Sequence, residues 1–350
     1  MRATTDPTDP AKTPSGKITI AHIAEEAGVS VPTVSKVVNG RADVARETRR
    51  RVEAIIRKYD YQRRSDQRSI KANLLDLVFH ELESAWAIEI IRGVEQVARD
   101  NEMSVVLSEL EGRRTPGRGW VEDVLQRRPA AVVSVFSDLS VEQQARLRSG
   151  GIPLVVVDPA GEPAPDVPSI GATNWSGGLT ATRHLLELGH RRIAVIGGPE
   201  RVLCSRARVD GYRSAMETAG LSVDPELIRH GDFHVEAGYQ QAAALLDQPD
   251  RPTAVFAGSD LQAMGVYQAA RQAGLRVPED LSVVGFDDLP VAQWIGPPLT
   301  TVRQPLEEMA AAGARLALSL ATGEEPSHTR IELATSLVVR GSTAPPRSTD

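Results

Sequence analysis

Apolar residues recur along this chain at two periods, and the change between them divides it. In the first segment the spacing is helical. Ile20, Ile23, Ala24 and Ala27 lie on one face behind Thr19, whose hydroxyl suits an N-cap, and Gly28 ends the run. Ser30 then caps a second short helix, Val31 to Val38, with Pro32 in its first turn, where a missing N–H costs little. Asn39-Gly40 closes it. A third helix, Arg46 to Tyr59, carries Thr48, Val52, Ile55, Ile56 and Tyr59 on one side and arginines around the rest. Beyond Asn73 the period shortens. Apolar runs at Leu74–Phe79, Ser104–Leu107, Ala131–Val135, Leu154–Val157, Ile193–Ile196, Ala254–Ala257 and Ser282–Phe286 read as strands separated by amphipathic helices. This alternation predicts an α/β body built on parallel sheets, with ligands at the carboxyl ends of the strands. Seven strands exceed what one sheet with a single switch point accommodates comfortably, so two lobes with a cleft are expected, the Pro-rich stretch Pro159–Pro168 being a candidate crossing between them.

Charge sharpens the division. Residues 1–72 hold 15 Lys and Arg against 9 Asp and Glu, a net +6, whereas the remainder holds 25 against 37, a net −12. All five lysines lie in the first part. A basic head suits a polyanion and an acidic body repels one. Two short helices joined by Gly28-Val29-Ser30 have the geometry of a helix-turn-helix, whose second helix enters the major groove N-terminus first and presents Val31, Pro32 and Lys36 to the bases.

No run approaches the ~18 apolar residues of a membrane span. Met1–Gly16 is rich in Thr, Pro and Asp, so it reads as a disordered leader and not a secretory signal, and a cytoplasmic location is expected. The single cysteine, Cys204, excludes a disulfide framework. Ile196-Gly197-Gly198-Pro199 lacks the third glycine of a dinucleotide loop. His230 and His234 are separated by a Gly-Asp loop pair, unlike a helical metal pair. No nucleophile, base and orienting acid can be joined, so neither cofactor, metal nor enzymatic activity is expected.

The stretch ITIAHIAEEAGVSVPTVSKVVNGRADVARETRRRVEAIIRKYDY closely resembles the DNA-binding head of the lactose-repressor (LacI/GalR) family. LLELGHRRIAVIGG, SRARVDGY, VFAGSD, GLRVPEDLSVVGFDD and PPLTTVRQP resemble the same family's periplasmic-binding-protein-like core. The resemblance implies a helix-turn-helix domain at 17–62, a hinge helix at 63–72, a two-lobed sugar-binding and dimerisation domain at 73–340, and a tail at 341–350. It implies a homodimeric repressor of carbohydrate-utilisation genes, released from a palindromic operator by a small sugar. Thr19, Ser30, Val31, Pro32, Thr33, Ser35, Lys36 and Asn39 would serve the operator, joined by Arg63 and Arg64 and by Ile70 as a minor-groove wedge. Arg63-Arg64 replaces the family's Pro-Asn pair, Gln67 a small residue, Ile70 a leucine, and Ala45 a capping Ser or Thr. In the body the family pattern assigns Asp287 and Arg208 to sugar hydroxyls. Asp158 ends a strand, Ser259 stands where Asn is common, and Trp86 and Phe233 occupy stacking positions. Bland roles remain open beside these: Trp86 as core, Asp260 and Asp288 as caps. Trp175 is a further candidate for the cleft, and Trp294 for a lobe interface or dimer seam. A free sugar-binding protein is the alternative; it would need export and no basic head. A sugar-processing enzyme would need paired carboxylates across the cleft.

Overall fold

A computed structural model describes residues 19–38, 44–59, 72–82, 85–110 and 115–347, which form two units divided near Ile70. The first contains α1 (Ile20–Ala27), α2 (Val31–Val38) and α3 (Arg46–Lys58). Thr19 Oγ1 accepts the His22 amide at 3.3 Å, and Gly28 ends α1 at φ 61°, a left-handed conformation that glycine adopts without strain. Ile23, Ala24, Ala27, Val34, Val37, Val52 and Ile55 form the head's small core. Lys58 reaches back to Glu26 at 2.7 Å, and the edge of the His22 ring meets Tyr59. The third helix therefore braces the first.

The second unit has two lobes. The near lobe runs β1 (Ala72–Phe79), α4 (Ala85–Asp100), β2 (Ser104–Glu109), α5 (Arg118–Arg127), β3 (Pro129–Val135), α6 (Val141–Ser149), β4 (Leu154–Val157) and β5 (Ser169–Ala172). The chain then builds the outer lobe with α7 (Asn174–Glu187), β6 (Ile193–Gly197), α8 (Leu203–Thr218), β7 (Ile228–His230), α9 (Val235–Leu246), β8 (Ala254–Ala257), α10 (Asp260–Gln272), β9 (Ser282–Asp287), α11 (Val291–Trp294) and β10 (Thr300–Arg303). It returns for α12 (Leu306–Thr322) and β11 (Arg330–Leu333), and ends with β12 (Ser336–Val338) in the outer sheet. The sheets are ordered β11-β5-β4-β3-β1-β2 and β12-β10-β9-β8-β6-β7, parallel except for β12 against β10.

The lobes are joined at three places: Thr173, Gln304-Pro305 and Ala334-Thr335. Two of these crossings are tied together, because Thr173 Oγ1 accepts the Thr335 amide at 2.9 Å and lies 3.0 Å from its hydroxyl. Pro159–Pro168 is not a crossing. It links β4 to β5, neighbours in the same sheet, and its prolines fit a loop that has no ladder to supply. α12 belongs to the near lobe, where Met309, Ala310, Ala314 and Ala317 enter the core and Gly93 lets α4 approach the Glu307 backbone.

Residues 341–347 do not behave as a tail. Ser342 is fully buried; its hydroxyl donates to Val283 O at 2.6 Å and accepts the Thr300 amide at 2.8 Å, while its carbonyl accepts the Val283 amide. Ala344 exchanges hydrogen bonds with Ser282 Oγ, and His190, itself buried, meets the Ala344 carbonyl at 2.9 Å. The polar groups of this stretch supply partners to buried backbone at the starts of β9 and β10, interior strands of the outer sheet.

Candidate functional site

The head buries Val34 and Val37 and leaves Val31, Pro32 and Lys36 exposed, with Thr33 and Ser35 at the margin. Ser30 caps α2: its hydroxyl lies 3.4 Å from the Thr33 amide and 2.9 Å from the Thr33 hydroxyl. Asn39, Arg63, Arg64, Gln67 and Ile70 lie outside the described residues.

In the body, a cavity of about 250 Å³ lies between the lobes at the carboxyl ends of β1, β3, β4 and β9. It brings together Trp86 and Asp158 from the near lobe with Arg208, Phe233, Ser259 and Asp287 from the outer one. Arg208 is held in a clamp. Its guanidinium lies 3.7 Å from the centre of the Phe286 ring, Nε donates to Asn174 Oδ1 at 2.9 Å, and Nη1 donates to Gly258 O at 2.5 Å. A guanidinium fixed on three sides presents its remaining donors in one direction, which reduces the ordering cost of recognition.

Asp287 Oδ1 stands 3.8 Å from Arg208 Nη1 and accepts Gln304 Nε2 at 2.7 Å. Burial nevertheless pushes its carboxyl up to about 7, against the opposing pull of Arg208 and Gln304. Burial likewise raises Asp158, with Arg208 opposing, and no described residue donates a hydrogen bond to that carboxylate. Behind them Asp260 is fully buried and held well above the usual carboxylate range, by burial first and then by the charge of Asp287. It caps nothing: it accepts Thr301 Oγ1 at 2.6 Å and the Leu289 amide at 2.7 Å, tying β10 to the turn after β9. Asp288 pairs with Arg303 and Arg340 outside the cavity.

Ser259 lines the cavity, but its hydroxyl is committed as the cap of α10, accepting the Gln262 amide at 3.0 Å and donating to Phe233 O at 2.8 Å. It therefore positions Phe233 and lacks the reach of the Asn it replaces. Phe233 adopts φ 76°, and its ring lies so close to Gly198 that a Cβ there would stand 2.0 Å from Cζ. Trp175 lines a different, flanking cavity. Trp294 is 78 % exposed on the outer lobe, not buried at a lobe interface.

Several cavity residues escaped the sequence reading. Phe136 is central: its ring meets His80, Trp86 and, across the cleft, Phe233, with centroids 5.8, 6.3 and 6.3 Å apart. It follows β3 directly, as Asp158 follows β4, and Asp287 ends β9, so strand-end position was the available signal. All three have positive φ, at 48°, 48° and 113°. Such backbone conformations cost on the order of 1–3 kcal/mol each and cluster at binding sites. Asn174, Phe286 and Gln304 carried no local signal, since their importance comes from contact with Arg208 or Asp287. At the cleft mouth His234 Nε2 meets Glu81 Oε1 at 2.8 Å, joining the lobes. His230 points instead to Gly198 O and Glu200.

Comparison with known proteins agrees with both units. Residues 19–64 match the model of the bacterial regulatory proteins, lacI family, and residues 182–343 match a periplasmic binding protein-like domain. The HTH-type transcriptional repressor CytR of Escherichia coli (strain K12) is 32% identical over 332 residues, covering 93% of this chain and 96% of that protein. Among solved structures, the transcriptional regulator CelR-cellobiose complex is similar at TM-score 0.70 and 32% identity, covering 93% of this chain and all of that one. The lac repressor dimer bound to operator and the anti-inducer ONPF is similar at TM-score 0.68 and 27% identity, over 94% of this chain and all of that one. With a helix-turn-helix head, two parallel-sheet lobes around a cleft, and a match over 93% of its length to a repressor, this chain belongs to the lacI family of bacterial regulatory proteins and is a DNA-binding transcriptional regulator.

Proposed function

We propose that the protein is a homodimeric repressor of carbohydrate-utilisation genes, released from a palindromic operator when an uncharged sugar occupies the interlobe cavity. The observation that carries this reading is the pairing of an aromatic wall with clamped polar groups in one small cavity. Trp86, Phe136 and Phe233 offer apolar faces to a ring, while Arg208, Asp158 and Asp287 offer donors and acceptors to its hydroxyls. Charge supports an uncharged ligand. Arg208 is the one lysine or arginine among the lining residues, whereas four acidic residues, Glu81, Asp158, Asp232 and Asp287, line the same space. A phosphorylated sugar would meet repulsion there.

Because the contacts come from both lobes, an occupied cavity favours one arrangement of the three crossings over the other. Differential affinity of this kind is what ligand control requires. Burial raises both Asp158 and Asp287. Burial also pushes the Cys204 thiol up to about 12, far from a nucleophile.

The test pairs calorimetric titration of a sugar panel with gel-shift measurement on an inverted-repeat operator. A binding sugar should weaken operator affinity, and Asp287→Asn should abolish the response while leaving operator binding intact. Lys36→Ala should cut specific operator affinity by about 10-fold or more, consistent with the ~1–3 kcal/mol of a base contact. Retention of full operator affinity in Lys36→Ala, or a preference for sugar phosphates over sugars, would count against the reading.

A further inference from the structure

The interlobe cavity is rimmed by a closed circuit of contacts that bridges the lobes twice. Glu81 Oε1 meets His234 Nε2 at 2.8 Å in one bridge, and the Phe136 ring meets Phe233 in the other. The circuit closes through chain neighbours, His80-Glu81 in the near lobe and Phe233-His234 in the outer one, because the His80 and Phe136 rings also meet edge to face, 5.8 Å apart. Its position gives it leverage. The chain passes between lobes after β5, β10 and β11, whereas Glu81 follows β1 and His234 follows β7. In the sheet order β1 lies three strands from β5, and β7 four strands from β10, roughly 14 and 19 Å at the usual strand spacing.

Both ends of the ion pair are anchored in their own lobe. The Leu82 amide, next to Glu81, donates to Glu109 Oε1 at 3.1 Å. In the outer lobe Asp232 Oδ1 accepts the His234 amide at 2.9 Å, and the Ser259 hydroxyl donates to Phe233 O at 2.8 Å. The neighbouring charges are acidic on each side. The outer lobe supplies Asp232 and, at the start of α9, Glu236, which holds Gln240; the near lobe supplies Glu81 and Glu109, with His80 Nδ1 3.8 Å from Glu81 Oε2. His230 faces Glu200, and Arg208 stands inside the cavity with Asp158 and Asp287. The His234 side chain is 37 % exposed and that of Glu81 29 %, so both exchange protons with solvent. A neutral imidazole gives a carboxylate an ordinary hydrogen bond; an imidazolium gives it a charge-assisted one, roughly twice as strong.

We propose that Glu81 and His234 form a proton-controlled latch on the cleft: protonation of His234 holds the lobes closed, and loss of that proton frees the rim to open for ligand exchange. Histidine is the side chain whose charge changes between pH 5 and 8, so mild acid favours the closed arrangement with no ligand present. The aromatic bridge is what the latch guards. Phe233 stays against Phe136 while His234, next in the chain, is tied to Glu81. The consequence for DNA rests on the sugar reading above, in which the closed, occupied arrangement is the one released from the operator; acid and effector then act in the same direction.

The experiment uses acrylamide as the probe and no effector. In the full-length chain carrying Trp120→Phe, Trp175→Phe and Trp294→Phe, Trp86 is the one remaining tryptophan. It meets Phe136 and lines the cavity, so acrylamide quenching of its fluorescence reads the open fraction. From pH 8 to pH 6 the quenching constant should fall about threefold, a modest change in keeping with a part-exposed pair. Glu81→Gln should raise quenching at both pH values and remove the dependence. His234→Gln, which keeps a neutral donor, should hold the pH 8 value throughout. Small-angle scattering of the chain with all four tryptophans is the second measure: the radius of gyration should be smaller at pH 6 than at pH 8, and the same at both in His234→Gln. Quenching and radius that ignore pH overturn the latch. So does a pH response that persists in His234→Gln, since that variant retains His80 and Asp287 as the remaining titrating groups of the cleft. Neither measurement involves a sugar, so failure of the latch and failure of the sugar reading are told apart.

Discussion

Asp287→Asn should stabilise the protein, and increasingly so as the pH rises. Asp287 is 6 % exposed, and its carboxyl is raised from 3.8 to about 7 by burial that outweighs Arg208 and Gln304. For a group whose folded pKa lies above its unfolded value, the stabilising contribution is complete below the unfolded pKa and is lost as pH rises through the folded one. At pH 8 the folded state holds Asp287 ionised at a cost of about 4 kcal/mol, from 1.36 kcal/mol per pK unit between 3.8 and 7. At pH 5 the folded group is mostly protonated while the unfolded one is mostly ionised, and the cost falls to about 2 kcal/mol. Asparagine mimics the protonated carboxyl in shape and carries no charge. The variant's stability advantage should therefore grow by about 2–3 kcal/mol from pH 5 to pH 8. Asp260, raised in part by the charge of Asp287, adds in the same direction. Urea unfolding followed by tryptophan fluorescence measures this in the body alone, because Trp86, Trp120, Trp175 and Trp294 all lie there. Titrating histidines contribute to wild type and variant alike, so the difference removes them. An advantage that stays flat, or shrinks as pH rises, would refute the reasoning. A buried carboxylate kept at such a cost is intelligible if its role is recognition.

Two further outcomes are expected. Gly198→Ala places a Cβ 2.0 Å from the Phe233 ring, which must leave its position against Phe136 and Arg208. Titration should show effector affinity reduced at least 10-fold, the variant should stay on its operator when effector is added, and the stability loss should be the ~1–3 kcal/mol of overpacking. A chain ending at Arg340 removes the partners of the Val283 and Thr300 amides and leaves the Ser282 hydroxyl with His190 alone. Buried groups left unpaired cost about 1–3 kcal/mol each, so calorimetry should show the body melting well below wild type, whereas a free tail would leave the transition where it was.

The features readable in advance were those whose signal is local. Thr19, Gly28 and Ser30 mark helix ends by their own chemistry, and Arg208, Asp158 and Asp287 were found because family motifs and strand ends point to them. The strands not expected from the apolar pattern, β5, β7, β10 and β11, have three or four residues each. Two of them show why. β10 buries Thr300 and Thr301 where an apolar run was expected, and β11 is an exposed edge with no buried face to impose alternation. Ser342 was misread for the related reason that a polar side chain looks like solvent-facing chain until the unpaired amides of Val283 and Thr300 are known to lie beside it. The same limit applies inside the cavity. Arg208 was identified, but the Phe286 ring beneath it comes from a strand nearly eighty residues later, and Asn174 and Gln304 come from two of the lobe crossings. That placement has a mechanical consequence. Asn174 and Gln304 bond the two charged groups assigned to the ligand while standing where the chain passes between lobes, so a ligand that pulls on Arg208 or Asp287 acts on the crossings through one hydrogen bond each. Control of the lobe arrangement needs no longer path than that.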